Sequence, residues 1–180
     1  MTKIKKLSFA LFIGVFVILS AFTINDIMHW QIKDGYKIQF SGAHVKGNFD
    51  KINGDITFDT ANLAASHMSI NVEVESITTG FWLKNSHAKS DKWFDADKYP
   101  QINFTSSHFS NSATGYLVEG ILTIHGVKKQ VSIPFTFSNN IFKGSFTINR
   151  LDYGVGNLEG MSKKVSNEIK LEISVPVDKK

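Results

Sequence analysis

The sequence predicts an all-β domain, built as an antiparallel sandwich or barrel. Three observations carry that prediction. Apolar and polar residues alternate with a period of two through most of the chain from about residue 28. Turn-forming pairs and clusters separate the alternating runs: Asp34-Gly35, Asn53-Gly54, the "SNSATG" stretch at 110–115, His125-Gly126 and Asn139-Asn140. Only one stretch, between Thr79 and Tyr99, abandons the period and has the length for a short helix.

The N-terminus stands apart. Lys3, Lys5 and Lys6 precede an uncharged run from Leu7 to Phe22. A basic start and an apolar run of that length read as a secretory signal peptide over residues 1–23. Ala21 or Thr23 would sit at the cut, although bulky Leu19 and Phe22 spoil a small-x-small pattern. The alternative is an uncleaved membrane anchor, for which the run is a little short against the usual ~20 apolar residues. Both readings export the remainder, residues 28–178, as one domain, to the periplasm if the signal is cut. The chain has no cysteine, so an acyl-anchored lipoprotein, a disulfide framework and thiolate chemistry are all excluded.

The formal charge of +4 comes largely from the leader. Residues 1–22 hold three lysines and no acid, leaving 17 basic against 16 acidic residues beyond them. No basic stripe with interleaved aromatics is present, so nucleic-acid binding has little support.

The strands follow in order. Tyr36, Ile38 and Phe40 share one face of "YKIQF", and Ile56 and Phe58 one face of "DITFD". Met68, Ile70, Val72 and Val74 alternate through "HMSINVEVES", as do Ile102 and Phe104 in "QINFTS". Runs 116–125 and 141–149 are β-rich but less strict. Val131, Ile133, Phe135 and Phe137 oppose Ser132, Pro134 and Thr136, and a last run pairs Ile169, Leu171, Ile173, Val175 and Val177 on one face. That makes eight or nine strands. Pro134 and Pro176 fall on outward positions and remove ladder donors, so each marks an edge or a local opening. Exposed edges would also admit an isologous homodimer. Between the strands, Lys84–Lys89 forms a plausible short helix, and Ser90-Asp91 a cap for a second turn through Trp93 and Phe94. Pro100 ends this insertion, and a glycine-containing loop runs from Arg150 to Asn167.

Catalytic and metal chemistry find little purchase. The six histidines (29, 44, 67, 87, 108 and 125) form no close His-x-His or His-x3-His pair. Asp95 and Asp97 alternate as in a calcium loop, but Tyr99 and Gln101 stand where further ligands and a glycine belong. No nucleophile elbow, phosphate-cradling loop or His-Glu-x-x-His is present. No cofactor is indicated, and no metal or catalytic residue is assigned. The 15 phenylalanines, most of them beyond the leader, instead give large apolar walls. A small barrel either fills its interior with such side chains or keeps room for one ligand.

Five stretches in series resemble the YceI family: "VKGNFDKINGDITFD" (45–59), "VEVESITTG" (72–80), "HAKSDKWFDADKYPQINFTS" (87–106), "GYLVEGILTIHGVKKQVSIPFTF" (115–137) and "GSFTINRLDYGVG" (144–156). The resemblance covers residues 29–178. It implies an eight-stranded antiparallel lipocalin-like barrel with a short helical insertion. It further implies a periplasmic binding protein, not an enzyme, that sequesters or carries a polyisoprenoid, an isoprenoid quinone or a similar amphiphilic lipid. Alternation and resemblance together assign Phe40, Phe58, Met68, Ile70, Val72, Phe104, Leu122, Phe135 and Phe146 to an apolar cavity. Trp93 and Phe94 close one end, with Tyr99 in the same plug. Two departures from the family pattern stand out: Lys84 and Asn85 replace a common Arg-Asp pair before His87, and the loop around His44 is short. The alternatives are an enzyme acting on a hydrophobic substrate in the same pocket, or a structural barrel with a filled core.

Overall fold

The computed structural model describes residues 28–180. The leader at 1–23 lies outside the described residues. Eleven strand segments form one sheet: β1 (His29–Ile32), β2 (Lys37–Gly42), β3 (Val45–Phe49), β4 (Ile52–Thr57), β5 (His67–Glu73), β6 (Ile77–Thr78), β7 (Gln101–Ser112), β8 (Gly115–Ile124), β9 (Val127–Ser138), β10 (Ile141–Asn149) and β11 (Glu168–Lys179). The ring runs β1-β4-β5-β7-β8-β9-β10-β11 and closes where β11 pairs with β1, every pairing antiparallel. β2, β3 and β6 prolong β1, β4 and β5 lengthwise, so eight long ribbons make a closed barrel. Closure removes the free edges that an open sheet of this length would expose.

The ribbon breaks have local causes. Asp34-Gly35 turns between β1 and β2 as expected, but the turn makes no hairpin; it is a bulge within the first ribbon. The stretch from Ile32 to Lys37 stands opposite the shorter stretch from Val177 back to Ser174, and Gly35 takes φ 91° there. Pro176 occupies the same place on β11. It opens no gap: its carbonyl accepts from the Lys33 N–H at 2.9 Å, and β11 changes neighbour from β2 to β1 around it. In the next ribbons, the Ser76 hydroxyl bridges the break. It accepts from the N–H groups of Asp50 and Lys51, both at 3.1 Å, and donates to the Glu73 carbonyl at 2.6 Å.

Asn53-Gly54 is no turn. Both residues lie inside β4, opposite Asn71 and Ile70 of β5. A continuous strand keeps Ile52 and Ile56 on the inner face, and that burial overrides the local turn preference. The tight turns are at Ala43-His44, His125-Gly126 and Asn139-Asn140. Both central residues have positive φ in the last two (52° and 76°, 50° and 58°), which matches the strand twist. The predicted turn at 110–115 shrinks to Ala113-Thr114 because β7 runs on to Ser112.

The insertion begins with helix α1 (Trp82–Lys89). Asn85 Oδ1 accepts from both the backbone N–H and the hydroxyl of Thr79, each at 2.7 Å, pinning the helix to the end of β6. The second turn forms as expected through Trp93 and Phe94, but Ser90 does not cap it with its side chain. Its hydroxyl donates back to the His87 carbonyl at 2.8 Å, and the Ser90 carbonyl holds the turn by accepting from Trp93 and Asp95.

Pro134 behaves as its missing donor suggests. The β9–β10 ladder runs from Ser138↔Ile141 only to Phe135↔Gly144, although both strands continue in the same direction. The ladder ends where the proline has no N–H to give, while its carbonyl stays close to Gly144.

Candidate functional site: an apolar cavity with a basic mouth

The two ends of the barrel differ. At one end Phe58, 1% exposed, packs its ring against Phe109, Tyr116, Phe135, Phe137 and Phe142 at centroid distances of 5.1–5.9 Å. Trp30 adds its indole to Phe137 and donates its Nε1–H to the Phe58 carbonyl at 2.8 Å. Most of these contacts are edge-on or tilted, the arrangements that the ring quadrupole favours. This end is solid.

Above that floor lies a cavity of about 1140 Å³. Its wall comes from the inner faces of the strands: Met68, Ile70 and Val72 on β5, Phe104 on β7, Leu122 on β8, Phe135 on β9, Phe146 on β10 and Phe40 on β2. Trp93 and Phe94 line it at the opposite end from Phe58. There Phe94 meets Phe49 edge-on at 5.9 Å, and the Arg150 guanidinium stacks 5.2 Å from the Trp93 ring. The solvent-exposed lining residues, including His44, Lys46, Lys84, His87 and Lys164, belong to the segments at this end, which is therefore the mouth.

Ten of the eleven sequence-assigned residues thus line the cavity. Phe58 is the exception. It points inward as alternation requires, but it follows the last residue of β4 and so sits in the solid floor rather than the cavity wall. Tyr99 is a second correction. It packs on His125 at 4.6 Å and against Gly126 on the rim, outside the lining. Trp93 and Phe94 stand at the mouth end of the lining.

Arg150 escaped the sequence reading. It is 3% exposed and lines the cavity. Nε donates to the Ser166 carbonyl at 3.0 Å and Nη1 to the Val155 carbonyl at 2.7 Å. Nη2 is shared among the Asn157, Ser162 and Val165 carbonyls and Asn167 Oδ1. One side chain therefore ties the whole 150–167 loop into a lip of the mouth. Only a guanidinium offers donors in so wide a fork. None of its partners is a carboxylate. Burial pushes its pKa down from the ordinary value, yet a guanidinium remains charged at any physiological pH. The one available signal was a lone arginine at the end of an alternating run, entering a loop with Gly154, Gly156 and Gly160. Gly156, at φ 69°, lets the loop pass close: a Cβ there would lie 2.7 Å from Arg150 Nη1 and 2.9 Å from the Trp93 ring.

Tyr153 also lines the cavity and is 2% exposed. Burial, with the negative charge of Asp152 nearby, pushes its phenol pKa up. No protein group hydrogen-bonds its hydroxyl among the described residues. The charged lining residues, Lys46, Lys84, Arg150 and Lys164, are all basic. The five ion pairs of the described residues all join lysines to carboxylates on solvated surfaces, and none involves a histidine. Among the described residues no three His, Asp or Glu side chains come together as a metal site would need.

Comparison with known proteins matches this architecture. A UPF0312 protein of Vibrio cholerae is 30% identical over 149 residues, covering 76% of this chain and 78% of its own length. The crystal structure of BcnA from Burkholderia cenocepacia superposes with a TM-score of 0.71 at 29% identity, covering 79% of this chain and 96% of that one. A polyisoprenoid binding domain from Saccharophagus degradans, implicated in plant cell wall breakdown, shares the fold with a TM-score of 0.60 at 14% identity. It covers 86% of this chain and 100% of that domain. The family model for the YceI-like domain matches residues 30–177. A closed eight-ribbon barrel with one helical insertion, matched from its first strand to its last, places the chain in the YceI-like domain family.

Proposed function

We propose that this protein is an exported binding protein that sequesters or carries a polyisoprenoid, an isoprenoid quinone or a similar amphiphilic lipid. The observation that carries the reading is the cavity: about 1140 Å³, walled by apolar side chains, floored by packed aromatics and polar only at its mouth. At about 30 Å³ for a water-sized group, that volume holds on the order of 40 such groups. Each buried methylene contributes about 0.8 kcal/mol, so a long chain is retained with few polar contacts. The ligand chain lies along Phe135, Phe146 and Leu122, and its polar head sits near Tyr153 and Arg150. The Saccharophagus domain's described ligand class supports the same reading. The role is binding rather than catalysis, and the basic, apolar leader supports export to the periplasm.

Organic extraction of protein purified from its native host, followed by mass spectrometry, tests the proposal. A stoichiometric amphiphile is expected. Repeated extraction without one, together with no uptake of quinone or fatty amide by the delipidated protein, would sink it. Within the same assay, replacing Trp93 and Phe94 by alanine should lower ligand retention more than His87→Ala does.

A further inference from the structure

The start of α1 carries an apolar feature that neither the barrel core nor the cavity uses. Phe81, Trp82 and Leu83 are 49%, 72% and 40% exposed. Single exposed apolar side chains are ordinary. Three in a row, with tryptophan the most exposed, are not. Phe81 and Trp82 face one another at 6.1 Å between ring centroids. The segment is firmly held beneath them by the Thr79–Asn85 bonds.

Its surroundings are basic. Residues 76–90 contain no acid. Lys84, the next residue of the helix, lines the cavity mouth, as do Lys46 on β3 and Lys164 in the 150–167 loop. All three are exposed, and none takes part in an ion pair among the described residues.

We propose that this tip docks the cavity mouth onto an anionic lipid bilayer. Tryptophan and phenylalanine favour the headgroup level, and lysines beside an inserted apolar segment are attracted by anionic lipid. The patch is three side chains wide. A stable protein partner needs about 800 Å² on each side, far more than such a point supplies. A wedge with a basic collar suits a deformable, negatively charged surface. It also stands at the only place where a membrane-borne ligand would gain by it, because α1 forms part of the mouth. Docking there brings the cavity entrance to the headgroup plane, so that an apolar chain need not cross open water.

Trp82 itself is the probe. The chain has three tryptophans, and Trp30 is buried while Trp93 is half-buried. The full-length protein is mixed with vesicles of phosphatidylcholine alone, or with a quarter phosphatidylglycerol, each also prepared with brominated acyl chains. The apolar leader would hold the chain on vesicles by itself, so the readout is quenching at Trp82 rather than co-sedimentation. Brominated anionic vesicles should quench the wild type clearly more than W82F. The difference should fall several-fold in 0.5 M salt and in the triple variant K46Q/K84Q/K164Q. Equal quenching of wild type and W82F would overturn the proposal. So would equal quenching on neutral and anionic vesicles. Trp82 emission already blue-shifted without lipid, with concentration-dependent dimerisation, would assign the tip to a second copy of the chain instead.

Discussion

Truncating Phe58 and truncating Phe146 should have very different effects, although both are inward-facing phenylalanines. Phe58 is 1% exposed and touches five other aromatic rings. Phe58→Ala removes the transfer free energy of the ring and leaves a hole that rigid neighbours cannot refill, at a cost of about 3–5 kcal/mol. Phe146 stands on the cavity wall. Its removal enlarges space that is already present, so little cavity energy is added. Only part of its transfer free energy is lost, about 1–2 kcal/mol. Urea unfolding of delipidated protein, followed by far-UV circular dichroism, measures both. With a slope of about 2 kcal/mol per molar, the midpoint falls by about 1.5–2.5 M for Phe58→Ala and by about 0.5–1 M for Phe146→Ala. Unchanged slopes would show that the unfolded states are comparable. Equal losses for the two variants would refute the reasoning, because they would mean that the interior at Phe146 is as densely filled as the floor.

Two further outcomes follow from the mouth. Arg150→Met should strip hydrogen bonds from the carbonyls of Val155 and Ser166 and cost roughly 2–4 kcal/mol. The 150–167 loop should become the first site of limited proteolysis, and Arg150→Lys should not rescue it, since an ammonium cannot span the same acceptors. Tyr153 predicts a pH dependence. Its phenol pKa is raised in the folded state, so the folded form holds the proton longer than the unfolded chain. The sign is a loss of stability as pH rises through about 10 toward the folded-state value, with no effect below that range. Tyr153→Phe should flatten the stability profile in that window, as measured by thermal unfolding between pH 8 and 11. An unchanged slope would remove Tyr153 as its source.

The alternation of apolar residues was enough to orient most of the wall. A strand has a period of two, so once Met68 faces inward Ile70 and Val72 must follow, and Phe104 and Phe135 obey the same rule on their own strands. The same rule could not separate Phe58 from its neighbours, because depth along the barrel axis depends on which strand ends sit side by side. Local turn chemistry was read correctly at His125-Gly126 and Asn139-Asn140, where the flanking strands pair with each other. It misled at Asn53-Gly54, where the ribbon continues through the pair and burial outweighs the turn preference, while Asp34-Gly35 turns but only as a bulge within one ribbon.

By itself, then, the sequence determined the β class, the inward faces, the position of the insertion and the scarcity of reactive groups. Those properties follow from period and composition, which are local. Tertiary structure alone decided that eleven segments close into eight ribbons, that one end is packed solid and the other open, and that Arg150, buried without a carboxylate partner, holds the lip. Those outcomes depend on contacts between residues far apart in the chain. The Arg150 donors meet carbonyls up to 16 residues away, and the cavity is the space left when strands from both ends of the sequence meet.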